Sequence, residues 1–249
     1  MKKVILLTGI LLLLLPLMLS AQVILSDNFS SLGEWRAGYG DWKILAGRLV
    51  QGDASTGLAR IDRPLNASGE YEIAFTIRYL GGGYKTEADL KSLNLHAGFG
   101  IHIAVDKAHL GKAAWGNGRS YLLWLNLDTR KETMAKHPEH YGFRAQVYRS
   151  TSNSRMALVP EMNVDIAAAL GTNLLDMMAY VQQAGFLSKD VPIRIRVNTN
   201  TGRIMVNDPS NAQMWFYFDL PAANLKGNYV SLRTNGMSAA YDDFSVVRR

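Results

Sequence analysis

The chain has no cysteine. It therefore folds without disulfides, offers no thiolate to a metal, and is excluded from lipid anchoring as a bacterial lipoprotein. It also has no Lys/Arg cluster. The formal charge is +6, of which Lys2 and Lys3 carry two, and the remaining +4 is spread along the chain. Nucleic-acid binding calls for a basic patch or stripe, so nucleic acid is not expected as a partner. A mild basic bias is compatible with attraction to acidic glycans or an anionic envelope surface. No glycine loop suited to cradling phosphate and no nucleophile elbow occurs, and Gly81-Gly82-Gly83 reads as a flexible connection. No Pro/Gly/Ser-rich or charged linker divides the chain, and no internal repeat is present.

What is present starts with Met1-Lys2-Lys3, an apolar run over residues 4–19, and then Ser20-Ala21-Gln22. A basic stretch, an apolar core and small residues at a cut site make up a secretory signal. The run holds Thr8, Gly9 and Pro16 and is short of the roughly 20 residues that span a bilayer. Residues 1–21 are thus expected to be a signal peptide cleaved after Ala21. Residues 22–249 are expected to form one exported domain, periplasmic or extracellular, that is not an integral membrane protein.

Most of those residues alternate with period two, as half-buried strands do. Tyr71, Ile73, Phe75, Ile77 and Tyr79 oppose Glu72, Ala74, Thr76 and Arg78. Phe99, Ile101, Ile103 and Val105 oppose Gly100, His102 and Ala104. Tyr121, Leu123, Leu125 and Leu127 oppose Leu122, Trp124, Asn126 and Asp128, while Phe143, Ala145 and Val147 oppose Arg144, Gln146 and Tyr148. Ile193, Ile195 and Val197 oppose Arg194, Arg196 and Asn198. Further strands are expected at residues 23–29, 42–45, 48–51, 58–62, 203–206, 213–218, 229–233 and 239–247, with turn signals such as Asn117-Gly118 and Asn235-Gly236 between them. The fold class is all-β: two antiparallel sheets packed face to face as a sandwich, with a closed barrel as the alternative.

One segment breaks the alternation. Residues 164–185 are rich in Ala, Leu and Met and read as two short helices broken near Gly171, capped by Asn163 or Thr172 and stopped at Gly185. Such an insert packs on the sandwich edge or serves as a docking surface for a protein partner, since Met-rich helices adapt to what they bind.

The two ends carry a resemblance. Leu25-Ser26-Asp27-Asn28-Phe29, Trp35, Gly40-Asp41-Trp42-Lys43-Ile44 and Gly47-Arg48-Leu49 form one half of it. Gly227-Asn228-Tyr229-Val230-Ser231-Leu232-Arg233 and Tyr241-Asp242-Asp243-Phe244-Ser245-Val246 form the other. Together they resemble the concanavalin A-like, laminin-G-like jelly rolls of bacterial exported proteins. The resemblance implies that the first and last strands are neighbours, that one sheet is concave, and that a glycan often binds on or near the concave side.

The candidate ligand-binding set lies on the non-core faces of the middle strands: Arg78, His102, Trp124, Asn126, Asp128, Gln146 and Tyr148. Sugars need an aromatic plate against their C–H faces and polar groups for their hydroxyls, and this set supplies both. No catalytic residue is assigned. The Glu-x-Asp-x-x-Glu run typical of the glucanase branch is missing, and Glu72 with Asp128 is the one imaginable carboxylate pair. His137-Pro138-Glu139-His140 does not match a zinc-helix motif. No cofactor is expected beyond a structural Ca²⁺, for which Asp27, Asp242 and Asp243 are the candidate ligands where the terminal strands meet. The sequence thus points to an exported protein that binds a glycan or envelope polymer without catalysis. A structural or assembly protein of the cell envelope or flagellar sheath, and a divergent glycoside hydrolase, are the alternatives.

Overall fold

A computed structural model describes residues 22–108 and 114–249. The expected signal at residues 1–21 lies outside the described residues, as does His109. The strands in chain order are β1 (Val23–Asp27), β2 (Arg36–Tyr39), β3 (Trp42–Leu45), β4 (Arg48–Gln51), β5 (Ala59–Pro64), β6 (Glu70–Gly82), β7 (His96–Val105) and β8 (Ser120–Asp128), followed by β9 (Gly142–Ser152), β10 (Arg155–Asp165), β11 (Val191–Asn198), β12 (Arg203–Asp208), β13 (Asn211–Asp219), β14 (Tyr229–Asn235) and β15 (Met237–Arg248). The helices are α1 (Glu87–Lys91), α2 (Lys131–Lys136), α3 (Ile166–Ala169) and α4 (Leu174–Gln183).

The strands form two antiparallel sheets. One has eight strands in the order β13-β12-β11-β6-β15-β4-β3, with β1 also paired to β15; the other has seven, in the order β10-β9-β8-β7-β14-β5-β2. The alternating apolar residues meet between them. Ile73, Phe75, Ile77, Tyr241 and Phe244 come from the first sheet, and Ile61, Ile101, Ile103, Tyr121, Leu123 and Leu232 from the second, in one buried cluster. The terminal strands are neighbours, with Leu25 opposite Val246 and Asp27 opposite Phe244. Trp35 sits edge-on to Phe244 at 5.1 Å, and Phe75 stacks on Phe244 at 5.9 Å. These contacts tie the first turn of the chain to the last strand. No helix among the described residues is long and apolar enough to cross a membrane.

Two strands escape the sequence pattern. β2 is four residues long with a glycine inside it. β10 contains Pro160, and its register slips between Leu158 and Asn163. It is an edge strand, the place where a residue without an N–H is tolerated. The helical insert begins two residues later than expected, because Val164 and Asp165 still pair with β9. Asp165 caps α3 through Ala168 N–H at 3.1 Å, and Asn173 caps α4 through Asp176 N–H at 3.0 Å, so Asn163 and Thr172 do not cap. The break at Gly171 and the stop at Gly185 both use positive φ, +68° and +72°. Ala167 and Met177 are the buried residues of the two helices, whereas Leu170, Leu175 and Tyr180 are exposed.

Candidate functional site

The sheets divide the expected ligand set. β7, β8 and β9 are neighbours in the seven-stranded sheet, so His102, Trp124, Asn126, Asp128, Gln146 and Tyr148 share its outward face. Arg78 is on β6 in the other sheet, held by Asp190 at 2.8 and 3.0 Å. It takes no part in this site. Glu72 is also on β6, so it and Asp128 never face each other. Each is neutralised on its own sheet, Glu72 by Arg194, Arg196 and Arg249 and Asp128 by Arg130.

Half of the outward face is roofed by the segment before β8. Asn117 Nδ2 donates to Asp62 Oδ1 at 2.9 Å and to Ser231 Oγ at 2.8 Å, and Ser231 Oγ donates to the same carboxylate oxygen at 2.6 Å. Arg60 Nε donates to Asp62 at 3.2 Å. Arg233 donates to the backbone oxygens of Trp115, at 2.8 Å, and Ala114. His102 is fully buried beneath this roof, within reach of no ligand. Ser120 Oγ donates to Asn117 O at 2.9 Å, so its lone pair takes the His102 Nδ1–H at 3.0 Å. That leaves His102 Nε2 to accept from Arg233 at 3.1 Å, which requires a neutral ring. Burial, followed by the charges of Arg233 and Arg60, holds its pKa well below the usual histidine range. Burial and the nearby Arg60 push Arg233 itself down to about 9, against the pull of Asp62.

The other half is open, as a cavity of about 250 Å³ lined by Trp124, Trp115, Tyr148, His96, Arg130, His137, His140 and Asn235 among others. Its floor is set by two glycines of β7. Gly98 and Gly100 pair with Asn126 and Trp124 on β8. A methyl group on Gly98 would collide with the indole, and one on Gly100 would come within 2.8 Å of Trp124 Cε3. Their missing side chains let the Trp124 ring lie flat across β7 with one face toward the cavity.

The polar residues around this plate serve mainly to fix their neighbours. Asn126, Gln146 and Tyr148 are buried. Asn126 Nδ2 donates to His140 O at 3.3 Å, and Tyr148 OH donates to Gln146 Oε1 at 3.1 Å. Gln146 Nε2 and Tyr148 OH lie 3.1 and 3.2 Å from His140 Nδ1. The His140 ring stacks on Tyr148 at 6.2 Å, and Trp115 meets Tyr148 edge-on at 6.0 Å. Burial lowers the His140 pKa and raises that of Tyr148. Asp128 accepts from Arg130 Nε at 2.9 Å, Arg130 Nη2 at 2.6 Å and Thr133 Oγ1 at 3.0 Å. Burial alone would raise its pKa, but the Arg130 bonds and nearby His96 outweigh this and hold it low.

Trp115, His96, Arg130, His140 and Asn235 line the cavity although the sequence offers none of them as a ligand-binding residue. His96 pairs directly across from Asp128, and Arg130 lies two residues past it. Both were within reach of register reasoning; Trp115 and His140 come from irregular segments with no period to read. The candidate calcium ligands do not gather. Asp27 accepts from Phe29 N–H at 2.8 Å and Trp35 Nε1 at 3.0 Å and pairs with Arg63, while Asp242 lies 3.5 Å from Arg48. Among the described residues no three His, Asp or Glu side chains are grouped to hold a metal ion.

No family model matches the sequence, and no curated protein matches it significantly. Among solved structures, the CBM2 module of the evolved Dit of Lactobacillus casei BL23 phage J-1 matches over 92% of this chain and 97% of its own, at 7% identity and a TM-score of 0.53. A Bauhinia forficata lectin in complex with GalNAc matches over 92% of this chain and 99% of its own, at 10% identity and 0.48. A legume lectin-like domain from Entamoeba histolytica covers 90% and 95%, at 10% identity and 0.48. The chain has a two-sheet antiparallel β-sandwich fold, similar to that of the phage module.

Proposed function

We propose that this chain is an exported protein that binds a glycan in the open groove of its seven-stranded sheet, without catalysis. The observation that carries the reading is the Trp124 indole laid flat over Gly98 and Gly100, beside a wall of polar groups in a cavity of about 250 Å³. A flat aromatic face with hydrogen-bonding groups at its margin is what the apolar and hydroxylated sides of a pyranose require. The sandwich shared with the phage CBM2 module is compatible with that role, although fold alone does not fix function. The non-catalytic reading is supported by the one carboxylate pair the sequence offered: Glu72 and Asp128 are on different sheets and each is taken up by arginines. Export rests on the signal pattern of residues 1–21.

A glycan array probed with the wild type, Trp124→Ala and Gly98→Val tests it. Loss of the stacking face should weaken binding about 10-fold, equivalent to roughly 1.4 kcal/mol. Gly98→Val should do the same by tilting the ring while leaving the indole in place. Binding unchanged in both variants, or no binding by the wild type, would overturn the reading.

A further inference from the structure

We propose that the glycan is acidic, and that Arg130 takes its carboxylate or sulfate while Trp124 stacks the ring. The inference rests on the glycan reading above and adds the ligand's charge. It follows from which hydrogen-bonding positions of the groove are already used. Asp128 is the carboxylate of the lining, and both of its oxygens are filled. Oδ1 accepts from the Arg130 backbone N–H at 3.2 Å and Nε at 2.9 Å; Oδ2 accepts from Nη2 at 2.6 Å and Thr133 Oγ1 at 3.0 Å. Four bonds saturate a carboxylate, so Asp128 has nothing left for a sugar hydroxyl. The Asn126 and Gln146 side-chain oxygens are likewise engaged, by Trp124 Nε1 at 3.4 Å and Tyr148 OH at 3.1 Å.

Arg130 is left in the opposite condition. A guanidinium carries five N–H donors in a rigid fork. Asp128 takes the side edge, Nε with Nη2. The end edge, Nη1 with the second Nη2 proton, has no hydrogen-bond partner among the described residues. The side chain is 38% exposed and lines the cavity. Asp128 and Thr133 therefore hold this fork rigid for a second anion, the geometry that makes Arg–carboxylate and Arg–sulfate pairs bidentate.

The charges around it agree. Arg130 and Arg233 line the cavity with Asp128 as the carboxylate of the lining, while Asp62 acts on Arg233 from beneath the roof. Two acids stand near the rim, and both have cationic or imidazole neighbours. Glu132 pairs with Lys136 at 2.9 Å, and Glu139 lies 3.6 Å from His137 Nδ1 and 3.5 Å from His140 Nε2. Asn235 Nδ2 lies 3.3 Å from His96 Nε2. A neutral sugar would meet a groove rich in donors and short of acceptors, whereas an acidic one supplies the missing acceptors.

The test is an array of uronate-bearing, sulfated and neutral glycans, read with the wild type, Arg130→Gln, Arg130→Lys and Trp124→Ala. The bound acidic glycan is then re-measured after methyl esterification or desulfation. Acidic glycans should be preferred. Removing their charge should weaken binding to the unaltered protein about 10-fold or more. This arm does not depend on any variant folding, and it separates a carboxylate ligand from a sulfate. Arg130→Gln should match the loss, and Arg130→Lys should recover only part of it because an ammonium offers no fork. Preference for neutral glycans with Trp124 dependence would overturn the acidic assignment and leave the glycan reading standing. No binding to any glycan would sink both. Acidic binding indifferent to Arg130 and Trp124 would mean diffuse attraction to a basic chain, and would also overturn the proposal.

Discussion

The outward faces of the two sheets solve the same problem in different ways. On the eight-stranded sheet the charges are settled among themselves at the surface. Glu72 receives Arg194 at 2.9 Å, Arg196 at 2.8 Å and Arg249 at 2.6 Å, and the Arg196 and Arg194 guanidiniums lie 4.2 and 5.1 Å from the Trp215 ring. Arg203 pairs with Asp219 beside Tyr217. Trp215 there is already occupied by cations. On the seven-stranded sheet the polar residues are sunk under a roof of irregular chain, and the uncovered part keeps an aromatic face and a guanidinium edge unspent. A polar sheet face is ordinary; this one buries Arg60, Asp62, His102 and Arg233 and leaves an open groove beside them.

The sharpest way to break the comparison is to remove the anion from beneath the roof. Asp62→Asn keeps the shape but removes the buried carboxylate that accepts from Arg60 and whose charge acts on Arg233. Removing one partner of a buried ion pair costs about 3–5 kcal/mol. Urea denaturation should show a loss of that size, the largest expected of any single change discussed. A loss under about 1 kcal/mol would mean that the roofed layer behaves like an exposed one.

Much of this was legible in the residues, and the limits have a physical cause. Period two reports which way a side chain points relative to the core, so the strands from β6 to β9 follow from the sequence, whereas the pairing of the terminal strands is what the resemblance of the two ends implies. The period does not report which sheet a strand joins. That is why Arg78, with the same pattern as Trp124 and Gln146, reads as part of their face although β6 lies between β11 and β15. Nor does it report what lies on top of a face. His102 and Trp124 have equivalent periodic settings, and only the course of the segment around Trp115 decides that one is sealed and the other is half open. Gly98 and Gly100 were visible as gaps in the polar face of β7, but their meaning depends on the register that sets them beside Trp124.

Acid should loosen the two faces at different points, by a smaller amount than the charge deletion. His102 is neutral in the folded protein with its pKa held well below 6.5, so below that pH the unfolded chain binds a proton that the folded chain refuses. Stability is therefore full above about pH 6.5 and falls as pH drops toward the folded pKa, at up to about 1.4 kcal/mol per unit for one group. Thermal melts between pH 7 and 5 should show this decline, and His102→Gln should flatten it. A slope unchanged by that substitution would place the titration elsewhere.

The smallest effect belongs to Glu72, and it bears on whether the faces are independent. Burial would raise its pKa, but the hydrogen bonds from Arg196, Arg194 and Arg249 win and hold it below 4.5. Its stabilisation is therefore present above about pH 4.5 and is lost only as pH falls through the lower folded value, well after His102 has begun to act. The three arginines are about a third exposed (30–37%), and exposed pairs contribute roughly 0.2–1 kcal/mol each after screening. Glu72→Gln should accordingly cost about 1 kcal/mol, and less at high salt. It lies across the core from the groove and shares no partner with Trp124 or Arg130, so its effect should add to theirs. Titration of the groove ligand should give the same affinity with Glu72→Gln as with the wild type. A change of more than about 3-fold would show that the paired face of one sheet sets the shape of the open face of the other.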